Sequence, residues 1–198
     1  MRYLLALGLT ISVLHAAQCK DPVWYEGVVV LESGELIKGN LSFPSFELVF
    51  AVTEQGERVA LPVDKIKLIR CYDPLLNANR RFDSFPVDEG YHQTRKLFEV
   101  VVKGTVSVLR RPTNLYREIS EIDHLDYNYY FLTKSQPIKE FRNFYGDGLN
   151  QMKIEVGDVI TDYIRENHLR PTQMADIIMI VKFYNEVSIA PRVAAGPL

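Results

Sequence analysis

Between residues 27 and 72 hydrophobic and polar positions alternate in short runs separated by turn residues, the period-two pattern of half-buried β-strands. Val28 to Leu31 runs into Glu32-Ser33-Gly34-Glu35, where the glycine tolerates the positive φ of a tight hairpin turn. The return run, Leu36 to Phe43, puts Ile37, Leu41 and Phe43 on one face and Lys38, Asn40 and Ser42 on the other. Gly39 falls on the apolar face, where a glycine marks a bulge or bend. Phe46, Leu48, Phe50 and Val52 alternate next, Gln55-Gly56 turns the chain, and Val59, Leu61 and Val63 form a further strand. Pro62 to Lys65 reads as a corner leading into a last strand, Ile66 to Cys71.

The pattern then loosens. Asp73 to Gln93 is polar and turn-rich, with Asn77, Asn79, Pro86 and Gly90, and is expected to be a linker pinned by Phe82 and Phe85. Leu97 to Leu109 is a hairpin turning at Lys103-Gly104, with Phe98, Val100 and Val102 on one arm and Val106 and Val108 on the other. Glu99 and Ser107 fall where such strands face solvent. Pro112 to Asp126 is charged and irregular, with one helical turn expected near 116–122. Tyr127 to Thr133 is a strand, and Ile138 to Phe141 pairs back to it.

From residue 152 the period changes. Met152, Val156, Val159, Ile160, Tyr163 and Ile164 recur at three- and four-residue spacing, one face of a helix. Gly157 weakens that helix, Asn167 is its expected left-handed stop, and Pro171 suits the first turn of the next. Met174, Ile177, Ile178, Val181 and Tyr184 supply the second helix's buried stripe. A shorter helix is expected around 143–151. The reading is an α+β fold: an N-terminal small β-barrel or antiparallel sheet (18–73), a linker (74–93), antiparallel β hairpins (94–141), C-terminal helices forming a helical hairpin (142–186), and a disordered tail (187–198). About nine strand candidates fit an antiparallel body.

Composition narrows the class. A hydrophobic fraction of 47% over 198 residues is that of a globular protein large enough to bury a core. The net charge of −2 argues against nucleic acid as a partner, which needs a basic surface. The first 17 residues read as a signal peptide: Arg2, an apolar run from Leu4 to Leu14, then Ala16 and Ala17. Cleavage after Ala17 is expected, leaving Gln18 first. The apolar run is short for a membrane span, so the mature chain is expected to carry no transmembrane segment and to be exported to the periplasm, cell envelope or extracellular space.

Cys19 and Cys71 are the two cysteines. Export would permit a disulfide between them, closing a loop of about fifty residues worth roughly 3–4 kcal/mol in the chain-entropy model. The alternative is that Cys71 is a small buried apolar residue and Cys19 is free. Lipidation of Cys19 is disfavoured because Gln18, not a small residue, precedes it.

The strand order of 27–72 resembles SH3-like or Sm-like small β-barrels. A wider resemblance rests on four features. They are the leader followed by G-x-x-x-L-x-x-G-x-x-x-x-G (Gly27 to Gly39), F-E-V-x-V-x-G-x-V-x-V-L-R-R (Phe98 to Arg111), the tyrosine-rich strand Tyr127 to Leu132, and a helix ending F-Y-N (Phe183 to Asn185). Together these resemble a group of uncharacterised secreted bacterial proteins. The resemblance implies export, and it implies no activity and no catalytic residues.

Candidate chemistry is sparse. Asp123, His124 and Asp126 are the nearest approach to a metal cluster, but neighbours on a strand diverge and a solvated loop is the simpler reading. Tyr145 to Asn150 imitates part of a calcium loop without its later acidic ligand. The nucleophile elbow, the phosphate-binding loop and the dinucleotide glycine fingerprint do not occur, so neither a cofactor nor a catalytic residue is assigned. The one patch with binding character is Tyr127, Tyr129 and Tyr130, whose rings would stack on a glycan or a partner protein if exposed. The expected function is a non-enzymatic envelope or secreted module that binds another macromolecule, an envelope protein or glycan. The alternative is an envelope glycan or peptide hydrolase whose site is hidden in the linear sequence.

Overall fold

The computed structural model describes residues 22–88, 90, 93–122, 126–133, 138–141 and 144–189. The expected leader, Cys19, the Asp123-His124 pair and residues 190–198 of the expected tail lie outside them.

The chain is α+β, and its described residues form a ten-stranded antiparallel sheet followed by three helices. The strands are β1 (Tyr25–Leu31), β2 (Leu36–Ser42), β3 (Leu48–Thr53), β4 (Arg58–Pro62), β5 (Ile66–Asp73), β6 (Ala78–Asp88), β7 (Gln93–Val102), β8 (Val106–Pro112), β9 (Tyr127–Thr133) and β10 (Lys139–Glu140). Their spatial order is β10-β9-β8-β7-β6-β5-β1-β2-β3-β4. The sheet is open, so of the two expected arrangements the antiparallel sheet is the one present and the small barrel is not. Closure would bring β4 back onto β5. That edge of β5 is taken by β6, with Leu68 opposite Asp83 and Asp73 opposite Ala78, and its other edge by β1.

The expected linker at 74–93 is therefore corrected. Most of it is β6, an eleven-residue strand paired on both sides. Its inward residues include Arg80, Phe82 and Ser84, all buried, so one polar and one charged residue interrupt the alternation that would have marked it. The corner at 62–65 is a 3₁₀ turn, Val63–Lys65. In β3 the buried residues are Val49 and Ala51, while Phe50 is exposed. That register is one residue from the Leu48-Phe50-Val52 set, because both faces of β3 are apolar and alternation cannot choose between them.

One face of β1 to β7 encloses a first core of Tyr25, Val29, Leu41, Phe43, Phe46, Val49, Ile69 and Phe82, closed over by Ile119 from the loop after β8. Phe43 anchors it, edge-on to Tyr25 at 5.7 Å and tilted against Phe82 at 5.2 Å. Gly27 and Gly39 face each other across β1 and β2. A Cβ on Gly39 would stand 1.9 Å from the Val52 carbonyl oxygen, and one on Gly27 2.5 Å from that of Arg70. Glycine at both positions lets the strands pinch together and bend.

The second core lies under the helices. Val102, Val106 and Val108 of the β7–β8 hairpin meet Phe144, Leu149, Met152, Ile160, Ile177, Ile180, Val181 and Tyr184. The first predicted helix is two: α1 (Leu149–Val156), entered through a π-turn at Phe144–Gly148, and α2 (Val159–Glu166). Gly157, at φ +76°, ends α1. α2 stops at Asn167, but the left-handed residue is His168, at φ +53°. α3 (Met174–Ile189) packs on the hairpin and runs three residues past the expected start of the tail. Among the described residues no helix is long and apolar enough to cross a membrane.

Candidate functional site

A buried ionic cluster sits where the two cores meet. Glu99 of β7 lies opposite Arg110 of β8, which lies opposite Tyr129 of β9. Arg80 of β6 and Asp73 of β5 share the same face. Glu99, expected to face solvent, is buried, because that face of β7 is covered by both cores. Both arginines donate two bonds to its one carboxylate: Arg80 through Nε at 3.1 Å and Nη2 at 2.8 Å, Arg110 through Nε at 2.8 Å and Nη2 at 3.0 Å. Arg80 Nη1 also donates to Asp73 Oδ2 at 3.0 Å. Two cations and two anions cancel, which is how buried charge is tolerated.

The electrostatics follow from that geometry. Burial alone would raise the Glu99 carboxyl, but the Arg80 charge and the bonds from both arginines outweigh it and hold the group below the usual carboxylate range. Burial works against the Arg80 charge, yet Glu99 raises the guanidinium above its ordinary value. Burial, then the charge of Asp73, pushes the Tyr25 phenol up to about 12; its hydroxyl is buried without a hydrogen-bond partner among the described residues. Burial likewise pushes the Cys71 thiol up to about 12. Cys71 is 4% exposed and points into the first core, so a disulfide partner would have to enter that core. Cys19, the proposed partner, lies outside the described residues.

The tyrosine patch is divided between the two faces of β9, and every residue of the strand is half-buried. Tyr127 stacks on Arg110, whose guanidinium carbon stands 4.2 Å from the ring centroid. Tyr129 and Phe131 pack toward the second core. Tyr130, on the other face, meets Phe98 edge-on at 5.2 Å. Burial raises the phenols of Tyr127 and Tyr130. The three rings are brought together on one strand, but each is engaged inside the molecule.

A further concavity lies elsewhere, over the glycine pinch on the outer face of β3-β2-β1-β5-β6. It is an open groove of ≈ 1180 Å³. Two rows of outward side chains cross it. In one, Arg81 is opposite Arg70, Arg70 opposite Val28, and Val28 opposite Lys38. In the other, Asn79 is opposite Tyr72, and Glu26 opposite Asn40. Asp83 neutralises Arg81 with two bonds of 2.8 Å. Arg70 and Lys38 are exposed and have no ion-pair partner among the described residues. Reading the sequence missed this site because each of its polar residues, taken singly, is an ordinary solvent-facing strand position. The signal available was the run of outward cations opposite one another once the register is known.

Among the described residues no three His, Cys, Asp or Glu side chains gather. Asp126, the described member of the candidate metal trio, pairs with Arg117 at 3.0 Å. The calcium-like stretch is the π-turn and the start of α1. Comparison with protein-family models, with curated proteins and with solved structures finds no match to this chain.

Proposed function

We propose that the protein is an exported, non-enzymatic binding module, and that it binds its macromolecular partner in the groove over β3-β2-β1-β5-β6. The observation that carries this reading is the row Arg81-Arg70-Val28-Lys38, in which Arg70 and Lys38 stand exposed without a counter-ion among the described residues. An acidic group brought by a partner would supply the counter-charge that Arg70 and Lys38 lack among the described residues, which selects an envelope protein or glycan carrying carboxylates. Export rests on the leader-like residues 1–17 and on the resemblance to secreted proteins.

The hydrolase alternative draws on Glu26 and Glu54, which both line the groove. Both are exposed to open solvent, whereas a carboxyl that serves as general acid is held in a shielded, partly apolar pocket. The interior carboxylates, Asp73 and Glu99, are already committed to arginines.

The test compares the wild-type chain with a Lys38→Glu/Arg70→Glu variant in two assays: co-sedimentation with insoluble cell-wall glycan, and quantitative pull-down from envelope extract. Two charge reversals are expected to cut retention roughly tenfold in the assay containing the partner. Equal retention of the two proteins, or retention by neither assay above background, overturns the proposal.

A further inference from the structure

The tip between β5 and β6 presents two consecutive leucines to water, Leu75 at 70% and Leu76 at 61% exposure. Hairpin tips ordinarily carry Gly, Asn, Asp or Ser, and adjacent exposed alkyl side chains are unfavourable unless something covers them. This tip is nevertheless held in one shape. Asp73 Oδ1 accepts from the Leu75 amide at 3.0 Å and the Leu76 amide at 3.2 Å. The Tyr72 hydroxyl donates to Asn77 Oδ1 at 2.6 Å, and Asn77 closes the turn at φ +48°. The other oxygen of Asp73 is fixed by Arg80. The ionic cluster therefore braces the leucines in an exposed position.

What surrounds the tip indicates what it meets. From Tyr72 to Asn79 the only charged side chain is Asp73, which is 2% exposed and paired. Tyr72 (42% exposed) sits at the base of the tip, and Trp24 (37% exposed) precedes β1. Because Gly27 lies opposite Cys71 in an antiparallel pair, the start of β1 and the end of β5 share one end of the sheet, where Trp24 and Tyr72 both stand partly exposed. An uncharged, convex pair of leucines with a tyrosine and a tryptophan set behind it is the order of groups that a lipid–water boundary selects: alkyl chains among acyl tails, amphipathic rings at headgroup level. A convex tip needs a shaped socket on a protein, whereas a bilayer deforms around it.

We propose that the β5–β6 tip is a membrane-surface contact, with Leu75 and Leu76 entering the acyl region and Trp24 and Tyr72 at the headgroups. The tip carries no cationic cluster, so the contact is with the apolar boundary of the bilayer and is insensitive to salt.

Trp24 is the chain's one tryptophan and reports the contact directly. The full chain and its Leu75→Asn/Leu76→Asn variant are titrated with zwitterionic phosphatidylcholine vesicles, following Trp24 emission and vesicle flotation at low and high salt. The apolar segment at residues 4–14 is common to both proteins, so the difference between them isolates the tip. The expected result is a blue shift and co-flotation for the wild type, unchanged by salt, and at least roughly tenfold more lipid for half-saturation of the variant. The variant's thermal midpoint should match the wild type's, because both leucines are exposed. Equal binding by the two proteins, no Trp24 shift in the wild type, or loss of binding in salt overturns the proposal. So does leucine-dependent self-association without vesicle binding, which would make the tip a contact with a second copy. The groove variant, Lys38→Glu/Arg70→Glu, should still bind vesicles, so this proposal and the groove proposal fail separately.

Discussion

At the scale of single residues, Glu99 bears the largest electrostatic responsibility. Its carboxylate receives four hydrogen bonds from two arginines. Replacing it with Gln removes the negative charge and leaves Arg80 and Arg110 facing each other in the interior. Breaking a buried pair in this way costs about 3–5 kcal/mol, so Glu99→Gln should lower the urea midpoint substantially at neutral pH. The sign of the pH dependence follows from the carboxyl's lowered folded value. Such a group stabilises the fold above the unfolded carboxylate range, about pH 4–5, and loses that contribution as pH falls through the folded value. The gap in stability between wild type and Glu99→Gln should therefore be full at neutral pH and shrink below about pH 4. A gap that stays constant down to pH 3 in an acid series of urea titrations (~1 unit below the unfolded value) would show that the carboxylate charge is not what holds the cluster.

At the scale of elements, the F-Y-N segment within α3, Phe183 to Asn185, is a fastening device, and each of its three residues has a separate partner. Phe183 stacks face to face on Tyr163 of α2 at 3.9 Å. Tyr184 donates its hydroxyl to Glu155 of α1. Asn185 accepts from the Val106 amide and donates to the Val106 carbonyl, both at 2.9 Å, so its side chain pairs with β8 as another strand would. Gly104 makes the room, since a Cβ there would stand 2.3 Å from Asn185 Cγ. Asn185→Leu keeps the volume but leaves both backbone groups of Val106 buried without partners, at about 1–3 kcal/mol for such a group. A loss of about 2–3 kcal/mol in urea unfolding is expected, against less than about 0.5 for Lys182→Ala on the exposed side of α3. Equal effects of the two substitutions would remove the clamp from the account.

The same elements show which parts of the fold a sequence reveals. Strands with one apolar face, such as β2 and β5, are legible because Ile37 and Leu41, or Ile66, Ile69 and Cys71, recur inward. β6 is not, because Arg80 and Ser84 take inward positions while Phe85 and Val87 lie on the other face. Its polarity is explained by an arginine whose partners, Asp73 and Glu99, come from two other strands, and no local pattern announces such a pairing. The break between α1 and α2 was signalled by Gly157 but read as a weakness within one helix. The groove depended on the register of five strands at once, and for that reason its cations looked like scattered surface charge.

For the whole molecule the decisive question is whether two cores make two domains. The linker expected at 74–93 would have separated them. β6 and β7 instead run together from Phe82 opposite Glu99 to Asp88 opposite Gln93, and Phe82 and Leu97 of this pair belong to the first core while Val102 of β7 belongs to the second. The Asp73-Arg80-Glu99-Arg110 cluster spans β5 to β8 at the same place. Neither core can lose its sheet without breaking bonds that the other needs, so unfolding should be a single cooperative transition. The chain supplies a probe for each side: Trp24 flanks the first core, and the helices that give the far-ultraviolet signal cover the second. Urea curves from Trp24 emission and from ellipticity should superimpose. They should also shift together in Glu99→Gln, because the substitution acts on the shared strands. If the helical signal is lost first while Trp24 keeps its native emission, the helices and their hairpin are a separately folding unit and the ionic cluster joins two domains without coupling them.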